Sequence, residues 1–109
     1  MKRYASIIGI NENDIAEYKR LHANVWPEIL DRLSKSNITN YSIFLKQPEN
    51  LLFSYYEYLG TDHKSDQDAI AKDTKTQKWW AICGPKQNAL ASRAEGEWWA
   101  SLEEVFHLD

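Results

Sequence analysis

Near the middle of the chain, NYSIFL and LLFSYYEYLG stand on either side of KQPEN. Both runs carry the aromatic and β-branched residues of strands, and Pro48 and Asn50 mark a turn between them. Two strands joined by about five residues make an antiparallel hairpin. In NYSIFL, Tyr41, Ile43 and Leu45 fall on one side and Ser42 and Phe44 on the other. A lone hairpin is marginal in water, so the flanking segments must cover one of its faces.

Those segments have the right character. YASIIGI, from Tyr4 to Ile10, reads as a buried strand ending at the polar NEND. Asn13 or Asp14 can cap IAEYKRLH, and Glu17 three residues after Asp14 resembles a capping box. Asn24 offers a second cap before VWPEILDRLSKSN, where Pro27 suits a first turn. Trp26, Ile29, Leu30 and Leu33 then form an apolar stripe at helical spacing. Beyond the hairpin, a polar loop around Asp62 to Asp68 leads into a helix from about Asp66 through Cys83, with a break at Asp73 and a stop at Gly84-Pro85. KQNALASRAEGE reads equally as weak helix or loop. Val105, Phe106 and Leu108 in SLEEVFHLD predict a terminal strand. The order is β-α-β-β-α-β, the split pattern of an α+β, ferredoxin-like domain filling residues 1–109. Helices cover one face of such a sheet. The other face would expose an apolar patch unless it packed on a second copy, so a homodimer is expected.

Charge and composition exclude several classes of function. A net charge of −3 with no basic run leaves no footprint for nucleic acid or a membrane surface. No segment approaches the roughly 20 apolar residues of a membrane helix. MKRYASIIGINEN has too short an apolar stretch for a signal peptide. The single Cys83 cannot form an internal disulfide and has no supporting neighbour as a nucleophile, so a structural role in a reducing cytoplasm is expected. The three His and the acids lack metal-ligand spacing, so no metal is expected. The four glycines form no phosphate loop, and no acidic pair stands out for glycoside hydrolysis.

What remains is aromatic. Five Trp and six Tyr bring the aromatic share to 13%, with two doublets, Trp79-Trp80 and Trp98-Trp99. Neighbours on a helix point about 100° apart, so two adjacent indoles are both covered only in a deep enclosure or beside a pocket. An indole offers a flat apolar surface and one N–H donor, which suits the C–H face of a sugar ring and suits a dimer interface equally. Tyr18 and His22, at i and i+4, share one helical face with Ile15 and can converge on one ligand. The imidazole can take or give a proton near neutral pH. The competing reading is an ordinary amphipathic helix with Tyr18 at the core edge and His22 in water. Tyr41 has the same two readings on its strand. His63 in its polar loop and His107 near the terminus hold less promise.

EYKRLHANVWPEI, NYSIFL, LLFSYYEY, QKWW and the terminal LEEVFHL, in that order and at this chain length, resemble the L-rhamnose mutarotase family. These are small cytoplasmic sugar-1-epimerases, with relatives acting on L-fucose. The resemblance implies a dimeric ferredoxin-like α+β fold and interconversion of L-rhamnose anomers without a cofactor. It makes His22 the proton donor, Tyr18 and Tyr41 sugar contacts, and Trp79-Trp80 the pair lining the sugar site. ICGPKQNALASRAEGEWWAS departs from the family, which has a loop rich in Pro, Asn and Asp there. Trp98-Trp99 lies in this departure and is expected as a dimer contact or as a pocket wall reached across the dimer. The alternatives are an L-fucose mutarotase, a haem-degrading or cofactorless monooxygenase of the dimeric ferredoxin-like class, and a non-enzymatic dimeric binding module.

Overall fold

The structure, a computed structural model, describes residues 1–109. Strand β1 (Lys2–Ile10) leads through a 3-10 turn into α1 (Ile15–His22) and α2 (Pro27–Lys35). The hairpin β2 (Ile38–Lys46) and β3 (Leu51–Tyr58) follows, then α3 (His63–Lys72) and α4 (Thr74–Cys83). Two short strands, β4 (Gln87–Asn88) and β5 (Ala100–Leu102), close the sheet. Its order is β2-β3-β1-β4, and β5 pairs with β1 as well. Every pairing is antiparallel. This is the ferredoxin-like α+β plan with each crossover helix split in two. No helix is long and apolar enough to cross a membrane.

The split after α3 comes from Asp73. Its carboxylate accepts hydrogen bonds from the Thr76 backbone N–H at 2.9 Å and the Thr76 hydroxyl at 2.8 Å, which caps a new helix and ends the old one. Asp62 caps α3 in the same way, accepting from Ser65 N–H at 3.1 Å, so that helix begins at His63 inside the stretch expected as loop. The expected caps of the first two helices are not used. Asp14 makes no cap bond; its carboxylate accepts from the Asn11 side chain instead, and Glu17 pairs with Arg20. The N-cap of α2 is Trp26, not Asn24, and Pro27 takes the first turn.

The main core lies between the sheet and α1, α2 and α4, where Ile8, Ile10 and Leu52 meet Ile15, Tyr18, Ile29, Trp79 and Cys83. One irregularity sets what the sheet presents to those helices. Ile38 at the start of β2 is buried against Tyr58 and Ile70, so strict alternation would turn Asn40 and Ser42 inward after it. The register instead shifts between Thr39 and Ser42, with Asn40 in the left-handed region at φ 48°. One extra residue reverses the parity of the rest of the strand. Tyr41 and Ile43 thereby reach the helix-covered side.

The terminal strand lies earlier than expected. Ala100–Leu102 pair with Ala5–Ile7, whereas Val105, Phe106 and Leu108 form no strand and are 88%, 78% and 79% exposed. β5 runs antiparallel to β1 with Leu102 opposite Ala5, a register that carries Phe106 and Leu108 past Lys2, where β1 begins.

Candidate active site

Between α1, α4 and the sheet lies a cavity of about 780 Å³, which shares His22, Tyr41, Tyr56, Trp79 and Trp80 with a second lobe of about 400 Å³. The sheet provides the floor, with Tyr4 and Ser6 from β1, Tyr41 from β2, and Ser54 and Tyr56 from β3.

On α1, the i and i+4 spacing brings Tyr18 and His22 into a ring stack at 4.1 Å and 22°. His22 is the last residue of its helix, and its Nδ1 lies 2.8 Å from the Tyr18 carbonyl oxygen. A carbonyl only accepts, so Nδ1 carries the hydrogen. In the neutral imidazole, Nε2 is then the bare lone pair, and it has no partner within the chain. Burial lowers the imidazole pKa below its usual 6.5, and the bond to Tyr18 only partly opposes this. His22 is therefore held neutral, with one basic nitrogen available.

Three phenols gather near it. Burial pushes the Tyr18 hydroxyl pKa far up, with Tyr41 among its neighbours. Tyr56 is raised by burial and again by Tyr41. Tyr41 as a whole residue is 42% exposed, yet desolvation raises its hydroxyl as well. The residue lines the cavity and is partly open to solvent. All three remain neutral hydrogen-bonding groups near pH 7.

The first tryptophan doublet divides by burial. Trp79 is 6% exposed and stands edge-on to Trp26 at 5.1 Å and to His22 at 5.3 Å. Trp80, one step around the helix, is 49% exposed on the cavity wall. The second doublet also lines this cavity from within the same chain, rather than serving only contacts with another copy. Trp98 Nε1 donates to Gln87 Oε1 at 2.7 Å, and Gln87 Nε2 donates to the Tyr18 hydroxyl at 3.1 Å.

Two wall residues were not legible as such in the sequence. His63 stacks on Tyr4 at 4.0 Å and 8°, with Nε2 2.6 Å from the Tyr56 hydroxyl. The spacing of Asp62 and Ser65, a cap and its third residue, was the available sign that His63 opens a helix. Gln87 had no such sign, since it sits in a strand of two residues. His107 lies elsewhere, paired with Asp109 at 2.6 Å. Cys83 is 4% exposed and its thiol is pushed up to about 11 by burial, which leaves little thiolate at neutral pH.

A cavity walled by indoles and phenols, with no charged cluster and the two imidazoles of His22 and His63, suits an uncharged polar ring with apolar C–H faces. Comparison with known proteins agrees. The sequence profile of the L-rhamnose mutarotase family matches residues 3–108.

This chain belongs to the L-rhamnose mutarotase family.

Mutarotases are isomerases that interconvert sugar anomers. The L-rhamnose mutarotase of Listeria monocytogenes is 34% identical over 108 residues, which is 99% of each chain. That of Bacillus subtilis is 33% identical over 111 residues and covers both chains fully. The crystal structure of the L-rhamnose mutarotase of Formosa agariphila superposes over the whole of both chains with a TM-score of 0.80 at 25% identity. Tetracenomycin F2 cyclase from Streptomyces glaucescens gives a TM-score of 0.75 at 11% identity, which reflects a common fold alone.

Proposed function

We propose that this chain interconverts the α and β anomers of L-rhamnose, with His22 as the proton-transfer group. The observation that carries the reading is the Nε2 of a neutral imidazole, free of partners, on a cavity walled by tryptophan and tyrosine.

The anomeric hydroxyl O1 and the ring oxygen O5 are both bonded to C1, so one nitrogen can reach both. Nε2 takes the proton of O1–H. As the C1–O5 bond breaks, O1 becomes the aldehyde oxygen and O5 leaves with the electron pair. The imidazolium then gives the same proton to O5. After the aldehyde turns about C1–C2, closure runs these steps backwards and places O1 on the other face. One proton moves between two sugar oxygens and His22 returns to its starting form. Acid–base help of this kind contributes about 10²–10⁴-fold. Trp80 offers its exposed indole to the C–H face of the sugar and its C6 methyl, while the Tyr18 and Tyr41 hydroxyls hold the polar edge.

Anomer exchange measured by saturation-transfer NMR, with L-rhamnose and L-fucose side by side, tests the reading. L-rhamnose should exchange faster with the protein than without it, and an unchanged rate would remove the proposal. The same assay yields a pH profile. His22 works from its neutral form and its pKa lies below 6.5. The acidic limb of kcat/KM should therefore be centred below 6.5. An acidic limb centred above 6.5 would show that His22 is not the group titrating.

The sheet face away from the helices carries Phe44, Phe53, Ile7 and Ala100 in one cross-strand row. Phe44 is 63% exposed, and Leu102 beside Ala5 is 43% exposed. A second copy laid on this face would bury that row, as in a homodimer. Phe44→Lys should lower the mass measured by sedimentation equilibrium to that of one chain, and a wild-type monomer at the same concentration would exclude the pairing. A reducing compartment such as the cytoplasm suits a chain whose one cysteine is unpaired.

A further inference from the structure

Tyr18 is held by a hydrogen-bond chain whose direction admits one assignment. An indole N–H can only donate, so the Gln87 atom 2.7 Å from Trp98 Nε1 is the carbonyl oxygen Oε1. The other end of the amide, 3.1 Å from the Tyr18 oxygen, is then the NH₂ group. That group also only donates, so the Tyr18 oxygen accepts from it and keeps its own O–H proton for another partner. Gln87 is 9% exposed and Tyr18 5%, so neither has ready access to water that would scramble this order. Tyr18 lines the cavity and its ring is stacked on His22.

We propose that Gln87, oriented by Trp98, is a positioning residue that makes Tyr18 a donor to the sugar oxygen on which negative charge develops. This rests on the anomer-interconverting function proposed above. When His22 removes the O1 proton, charge appears first on O1 and then on O5 as the ring opens. A donor fixed in advance stabilises that charge more than the neutral ground state, so its effect falls on kcat more than on KM. With the amide reversed, Tyr18 would turn its proton to Gln87 and present only lone pairs to the same oxygen. The second tryptophan doublet gains a role from this, since the N–H of Trp98 is what prevents the reversal.

The test uses anomer exchange of L-rhamnose by the full chain. Gln87→Glu keeps the shape and the bond from Trp98, but it places a carboxylate oxygen against Tyr18, which must then donate to it. Removing one oxyanion donor costs about 10²–10³-fold. Gln87→Glu should lower kcat by about 10²-fold and leave KM within about threefold. In a Tyr18→Phe background the same change should have no further effect, because the hydroxyl it redirects is gone. Trp98→Phe keeps an aromatic wall on a half-exposed residue and frees the amide to turn; it should lower kcat several-fold and decides the matter if Gln87→Glu does not fold. The proposal is overturned if the folded Gln87→Glu protein keeps kcat within threefold, if the loss lies in KM, or if the losses of Tyr18→Phe and Gln87→Glu multiply. Absence of exchange in the unmodified protein would instead count against the function itself.

Discussion

His22→Ala should lower kcat for anomer exchange by about 10²–10⁴-fold, the usual worth of a positioned proton-transfer group. The loss follows from the absence of a substitute. The tyrosines beside it have pKa values raised by burial and give up protons less readily than free phenol. His63 faces the cavity, yet its Nε2 already bonds the Tyr56 hydroxyl. The fold should survive the change, because His22 ends its helix and its one hydrogen bond within the chain is to the carbonyl one turn back. Circular dichroism and a urea melt on the variant check this alongside the exchange assay. Wild-type exchange in a folded His22→Ala protein would remove His22 from the chemistry.

The two members of the first tryptophan doublet should fail in opposite ways. Trp79→Ala empties the contact of α4 with Trp26, His22 and the main core, and loss of a buried Trp of this kind costs about 3–5 kcal/mol. Set against total stabilities of about 5–15 kcal/mol, that threatens the folded state itself. The urea midpoint should fall sharply, and activity should fall with it. Trp80→Ala removes an indole that is half in water. Its urea midpoint should move little, while KM for L-rhamnose rises several-fold through loss of an aromatic contact worth about 0.5–1.5 kcal/mol. Equal losses of stability in the two variants would mean that Trp80 is a packing residue and not a sugar platform.

The hairpin, both helical segments before it and the break at Asp73 could be read in advance because each depends on residues close in the chain. The turn lies within KQPEN, and the cap lies within three residues of the group it serves. Tyr18 and His22 were legible as a pair for the same reason, since one helical turn joins them. The last strand and His63 were misplaced where two local signals competed. Val105, Phe106 and Leu108 have strand composition, but the register of β5 on β1 brings Val105 opposite only the first residue of β1 and carries Phe106 and Leu108 beyond it. The polar residues around His63 read as a loop until Asp62 is recognised as a cap.

Local chemistry thus determined the first strand, the hairpin, the order of the helical segments, and the joining of a phenol and an imidazole on one helical face. Those choices rest on periodicity and capping, which act over a few residues. The tertiary structure alone decided that Trp79 is core and Trp80 is wall, that Tyr41 turns inward after a bulge, and that Gln87 and Trp98 orient Tyr18. Gln87 lies 69 residues beyond Tyr18, and Trp98 a further 11 along. A hydrogen bond across that separation exists only once the sheet has brought its ends together, so no local pattern carries its signature.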